Sequence, residues 1–166
     1  MSLTTRRTTH RLTIEAPADL IFTVLQDSTH WPFLDGLTVY SERVSGDDAD
    51  HELRTSVVVN GALNSSHCHR VFDAARHRGK FEQLDLEYPL LHLGGHWAIL
   101  QAHGCSEVTL THEFEVDEGA DAELPDLIHG AVDEYSRREL DALRASSERL
   151  SVLVQQHSAG APAREA

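Results

Sequence analysis

The run LPDLIHGAVDEYSRRELDALRASSERLSVLVQQ, residues 124–156, has no Pro after Pro125 and no Gly after Gly130. Ile128, Val132, Tyr135, Ala142, Leu143, Ser146, Leu150 and Leu153 recur along it at helical spacing, which predicts one long helix with a single apolar or small-residue stripe. Just upstream, VTLTHEFEV (108–116) alternates. Val108, Leu110, Phe114 and Val116 share one face, and His112 shares it with them, which predicts a half-buried strand.

Working back from this pair, the texture stays β. Segments 37–45, 51–59, 62–73, 79–87, 94–102 and 106–116 are strand-like. They are broken at Gly46-Asp47-Asp48, Asn60-Gly61, Asp73 to Gly79, Tyr88-Pro89 and His103-Gly104. Asn60-Gly61 is the strongest hairpin signal among these. Earlier still, residues 6–14 read as a strand. Ala16-Pro17-Ala18-Asp19 opens a helix faced by Leu20, Ile21, Val24 and Leu25. Asp27-Ser28-Thr29 caps a second short helix carrying Trp31, Phe33 and Leu34, which Gly36 ends. Short turns between successive strands imply an antiparallel meander. The expected class is therefore α+β: a helix-grip fold, with a curved antiparallel sheet of about seven strands wrapped around a long C-terminal helix. Two short helices complete it, and sheet and helix enclose a cavity. Residues 1–156 are expected to form one domain, with 157–166 as a frayed tail.

A chain of 166 residues fits one domain. Its 27 acidic and 14 basic residues give a formal net charge of −13, which argues against nucleic acid or an anionic membrane as partner. No apolar run approaches the length of a spanning helix, and the N-terminus shows no secretory h-region. Cys68 and Cys105 stand in no CxxC pattern. A reduced, cytoplasmic protein is the simplest expectation.

Polar residues at apolar positions point to chemistry, because an unpaired buried charge costs several kcal/mol. His112 is one. Glu139 is a second: it lies four residues after Tyr135 and four before Leu143, within the helix stripe. Arg70 is a third, on a strand whose two faces (Asn64, Ser66, Cys68, Arg70, Phe72 or Leu63, Ser65, His67, His69, Val71) alternation alone does not separate. An imidazole exchanges protons near neutrality, a guanidinium holds an oxyanion or enolate, and a carboxylate orients either. This is equipment for proton transfer beside a carbonyl, without an obvious covalent nucleophile. His67 and His69, with His92 or His96, are a weaker metal-ligand set, and no metal or other cofactor is expected. Trp31 and Trp97 read as core or cavity wall. Arg6, Arg7 and Arg11, and also Arg137 and Arg138, are local basic patches.

These residues resemble the aromatase/cyclases of bacterial type II aromatic polyketide synthases, within the START/Bet v 1-like (SRPBCC) superfamily. The resemblance spans residues 8–155. It rests on IEAPADLIFTVLQD (14–27), Trp31-Pro32, His69-Arg70, Gln83-Leu84-Asp85, the stretch from His92 to Trp97, Leu110-Thr111-His112-Glu113-Phe114, and Glu139. It implies a polyketide cyclase/dehydratase, a lyase that folds a poly-β-ketone carried on an acyl carrier protein. Such an enzyme closes the first ring by aldol reaction, then dehydrates and aromatises it. It also implies Arg70, His112 and Glu139 as catalytic residues, and Trp31, Ser66, Cys68, Gln83, Trp97, Phe114 and Tyr135 as substrate-binding ones. The carrier would dock on a basic patch, and the protein would be a monomer or homodimer. Asn64 and Ser66 stand where family members often carry aromatics, and Tyr40 lies two residues later than a Tyr some members have. Both departures imply a wider or more polar pocket. A non-catalytic START-like carrier of an apolar or aromatic small molecule is the alternative reading. Another pocket enzyme on the same fold, or a binding module that sequesters a small aromatic, would also fit.

Overall fold

The computed structural model describes residues 2–59, 61–119 and 121–160. Strand β1 (Leu3–Ile14) leads into α1 (Ala18–Gln26), a 3-10 turn (Ser28–His30) and α2 (Trp31–Leu34). Strands β2 (Thr38–Gly46), β3 (Asp50–Val59), β4 (Ala62–Asp73), β5 (Arg78–Gln83), β6 (Leu90–Gln101) and β7 (Ser106–Asp117) follow, then α3 (Leu124–Ala159). All neighbours pair antiparallel in the order β1-β7-β6-β5-β4-β3-β2, so β2 to β7 form a meander and β1 returns to lie beside β7. The predicted helix-grip architecture is observed, with seven strands in one sheet.

Boundaries moved in three places. The segment read as 79–87 ends at Gln83, and the one read as 94–102 begins at Leu90. Glu87 O accepts from Leu90 N and closes a turn around Tyr88-Pro89; β6 then resumes at once because Leu90 pairs with Val116. Gly94 and Gly95 therefore lie inside a strand. A Cβ on Gly95 would stand 1.9 Å from Thr111 O and 2.8 Å from the Phe81 ring, so only Gly lets the strands and that ring come so close. At the C-terminus α3 continues to Ala159 with Gly160 as its cap, so residues expected to fray are helical. The tail beyond Gly160, and Asn60 of the predicted hairpin turn, lie outside the described residues.

The buried stripe of α3 is rotated slightly from the expected one. Val132, Ser136, Leu140, Leu143, Ser147 and Ser151 are buried, whereas Leu153 is half exposed. The serines are small enough to let the helix lie close against its neighbours, which are β1, α1 and β7. Tyr135 and Glu139 consequently fall at the border of the stripe rather than its centre. Two apolar clusters hold the grip. The larger joins Ile14 and α1 to Ile99, Val108, Leu110 and Leu143. The smaller sets Phe114 and Val116 under Val132 at the start of α3.

Candidate functional site

A cavity of about 380 Å³ lies between the sheet and α3, within the range of small-molecule sites. Its wall takes residues from β3 to β7 and from α1, α2 and α3. A smaller annex of about 40 Å³ adjoins it, sharing Trp31, Tyr135 and Glu139 and adding Asp35.

Arg70, His112 and Glu139, from β4, β7 and α3, all line the main cavity. The open choice on β4 is thus resolved. Arg70 and Phe72 face inward, while His67 and His69 pair on the other face with Glu52 (2.9 Å) and Asp50 (2.6 Å). Trp31, Ser66, Cys68, Gln83, Trp97 and Tyr135 are also on the cavity wall. Phe114 is not. It is wholly buried in the smaller cluster, against Val116 and Val132. It shares His112's face of β7 but lies two residues, roughly 7 Å, further along, where Val132 and Leu93 pack over it and stand between it and the cavity.

Arg70 is 5% exposed. It stacks over Phe72 (4.5 Å from CZ to ring centroid) and Trp31 (5.0 Å), and its Nη2 donates to Leu25 O. Nη1 is buried without a hydrogen-bond partner, and no ion pair joins Arg70 to Glu139 among the described residues. Burial lowers the Arg70 pKa to about 10, so it stays charged at neutral pH. The fold thus holds a cation between two π faces and leaves one donor unfilled.

His112 is 4% exposed, with the Phe81 ring edge-on at 5.0 Å and Tyr135 at 6.4 Å. Its Nδ1 lies 2.9 Å from Ser136 Oγ. Burial, with a small addition from His10 on the neighbouring strand, pushes its pKa down to about 4, so it is neutral at pH 7. Glu139 moves the other way. It lines both the cavity and its annex, and burial raises its pKa to about 7 even though Arg70 pulls it down. Tyr135, one turn earlier, is held protonated by Glu139's charge and by burial. Burial also lifts the Cys68 thiol to about 11, which makes it a poor nucleophile.

Asn64, expected to shape the pocket, is on the wall; the sequence reading missed Phe81 and the β3 residues Leu53, Thr55 and Val57 there. Phe81 was within reach, since it alternates onto the same face as Gln83 and pairs with Arg70 across the ladder. The basic candidates are mostly occupied. Arg6 pairs with Asp126 (2.9 Å), Arg7 with Glu113, Arg137 with Asp133 (3.3 Å) and Arg138 with Glu134 (2.8 Å). No helix among the described residues is long and apolar enough to cross a membrane.

No family model matches the chain. It is 30% identical over 148 residues to the granaticin polyketide synthase bifunctional cyclase/dehydratase of Streptomyces violaceoruber, covering 89% of this chain and 45% of that relative. The Zhui aromatase/cyclase from Streptomyces sp. R1128 superposes with a TM-score of 0.77 at 24% identity, over 88% of this chain and 95% of the other. The di-domain ARO/CYC BexL from the BE-7585A biosynthetic pathway gives 0.75 at 28% identity, over 86% and 46%. The chain spans about half the length of the curated relatives it matches.

Proposed function

We propose that this chain, a relative of the polyketide synthase bifunctional cyclase/dehydratases, is a polyketide aromatase/cyclase. It folds a poly-β-ketone in the cavity and catalyses first-ring aldol closure, dehydration and aromatisation. The observation that carries this reading is the convergence of Arg70, His112 and Glu139 on one cavity, with the two proton-transfer groups displaced in opposite directions. Two titratable groups whose environments push their pKa values apart divide into base and acid.

In that division neutral His112 is the base. It takes a proton from a methylene flanked by two carbonyls, and the C–H electron pair passes into an enolate facing the Arg70 cation. The enolate carbon attacks a ketone of the same chain, forming the C–C bond, and Glu139, half protonated near neutrality, supplies the proton to the new alkoxide. In dehydration, removal of a second α-proton expels the hydroxyl; a proton from the acid partner makes it water and a C=C bond forms. Bringing two carbons of one flexible chain together is an entropic problem, which the shape of the cavity addresses.

The substrate is delivered on an acyl carrier protein, and the exposed Arg11 beside Arg6 and Arg7 marks one docking candidate. Salt-insensitive association with the carrier would remove that surface from consideration. The reading is tested by supplying the cognate minimal synthase and following the correctly cyclised product with Arg70→Ala and His112→Ala. Each is expected to lower its yield by roughly 10²-fold or more. Unchanged yields in both variants, with altered ligand affinity alone, would make the protein a carrier instead.

A further inference from the structure

We infer that Ser136 is a positioning residue that holds His112 in the tautomer whose bare nitrogen, Nε2, is available to the cavity. The inference rests on the proposed role of His112 for its catalytic meaning, but not for its structural content. Ser136 lies wholly buried on α3, and its Oγ is 2.7 Å from Val132 O, one turn back, and 2.9 Å from His112 Nδ1. A hydroxyl has one proton. The Val132 carbonyl can only accept, so the Ser136 proton goes there. Toward Nδ1 the oxygen is left as an acceptor, and Nδ1 must carry the hydrogen. A neutral imidazole carries only one N–H, so Nε2 keeps its lone pair.

No described residue offers Nε2 a hydrogen-bond partner, while the ring lines the cavity. The order of bonds therefore runs from a helix carbonyl, through a serine, to a base. It resembles in logic the carboxylate that orients a catalytic imidazole, with one difference: a neutral hydroxyl fixes the tautomer without raising the basicity of the ring. That suits a base already kept neutral by burial.

The test is nitrogen NMR of the His112 imidazole in the folded protein, free of substrate, in wild type, Ser136→Ala and Ser136→Thr. Wild type is expected to show the Nδ1–H pattern. Ser136→Ala removes the acceptor, and the ring is expected to shift toward Nε2–H, placing a donor where the base should be. Ser136→Thr keeps a hydroxyl able to make the same back-bond and is expected to restore Nδ1–H. Product yield should follow, dropping roughly 10²-fold in Ser136→Ala with substrate affinity little changed. Nε2–H in wild type, or Nδ1–H undisturbed in Ser136→Ala, overturns the inference. If Ser136→Thr fails to fold, the Ala variant decides alone, since it removes one atom. A tautomer shift with unchanged product yield supports the hold of Ser136 and instead removes His112 from the proposed function.

Discussion

Glu139 is the residue whose environment most changes its ordinary chemistry. A carboxyl with a pKa near 7 and an imidazole near 4 must operate as acid and base respectively, so the protonated acid and the free base coexist between those values. Turnover is therefore expected to fall as pH rises through about 7, and to fall again on acidification toward about 4. In Glu139→Gln the alkaline limb should vanish and the plateau should drop roughly 10²-fold; a pH–rate profile with its alkaline limb intact would remove Glu139 as the acid. Arg70→Lys is expected to behave as a loss rather than a conservative change. An ammonium keeps the charge but forfeits the planar stack between Trp31 and Phe72 and the forked donors. Product yield and thermal stability should both decline, and a Lys variant matching wild type in both would contradict the stacked-cation account. At this scale the sequence was informative for His112, because one alternating strand exposes a polar residue among apolar ones. It was silent on Arg70's direction, because both faces of β4 carry polar residues and the outer histidines are satisfied by hydrogen bonds to carboxylates of β3.

At the level of elements, β6 and α3 are the pieces that shape the cavity. Gly95 permits the close approach of β7 and of the Phe81 ring. Gly95→Ala would drive a Cβ into a backbone carbonyl that cannot rotate away, and should cost roughly 3 kcal/mol of stability, the upper end of overpacking. Urea denaturation measures it, and a loss below about 0.5 kcal/mol, within the scatter of a surface change, would sink the close-packing argument. The helix was legible as a helix, and Glu139 as an intruder in its stripe. Its rotation was not, since Ser136, Ser147 and Ser151 look neutral in a hydropathy pattern and are buried only because the helix packs against β1, β7 and α1. Phe114 was misplaced for a related reason. Sharing a strand face places two side chains on the same side of a sheet, but the position of α3 above that sheet determines where the hollow stops.

For the whole molecule, the two displaced groups have opposite effects on folding. His112 titrates at about 4 when folded against 6.5 as its ordinary value, so between these pH values the unfolded chain binds the extra proton. Its contribution is present above about 6.5 and is lost toward pH 4, by roughly 3 kcal/mol. Glu139 titrates at about 7 when folded against 4.5, so here the folded chain holds the proton. Its contribution is present below about 4.5 and is lost as pH rises to about 7, by a similar amount. The two effects nearly cancel across the shared range. Relative to wild type, Glu139→Gln should therefore gain stability with rising pH from about 4.5 to about 7, and His112→Asn should lose it from about 4 to about 6.5. Parallel stability curves for all three proteins would show that neither group is displaced by burial.

Sequence alone determined the order of elements, the antiparallel meander ending in a long helix, and two polar residues out of place, His112 and Glu139, because hydrophobic periodicity and turn chemistry are local properties of the chain. Only the tertiary structure decided which face of β4 turns inward, that Phe114 belongs to the core, and that a serine one turn from Val132 reaches an imidazole on β7. Those facts depend on how far apart the sheet and the helix sit, a distance set by side chains remote in sequence and visible only once they pack.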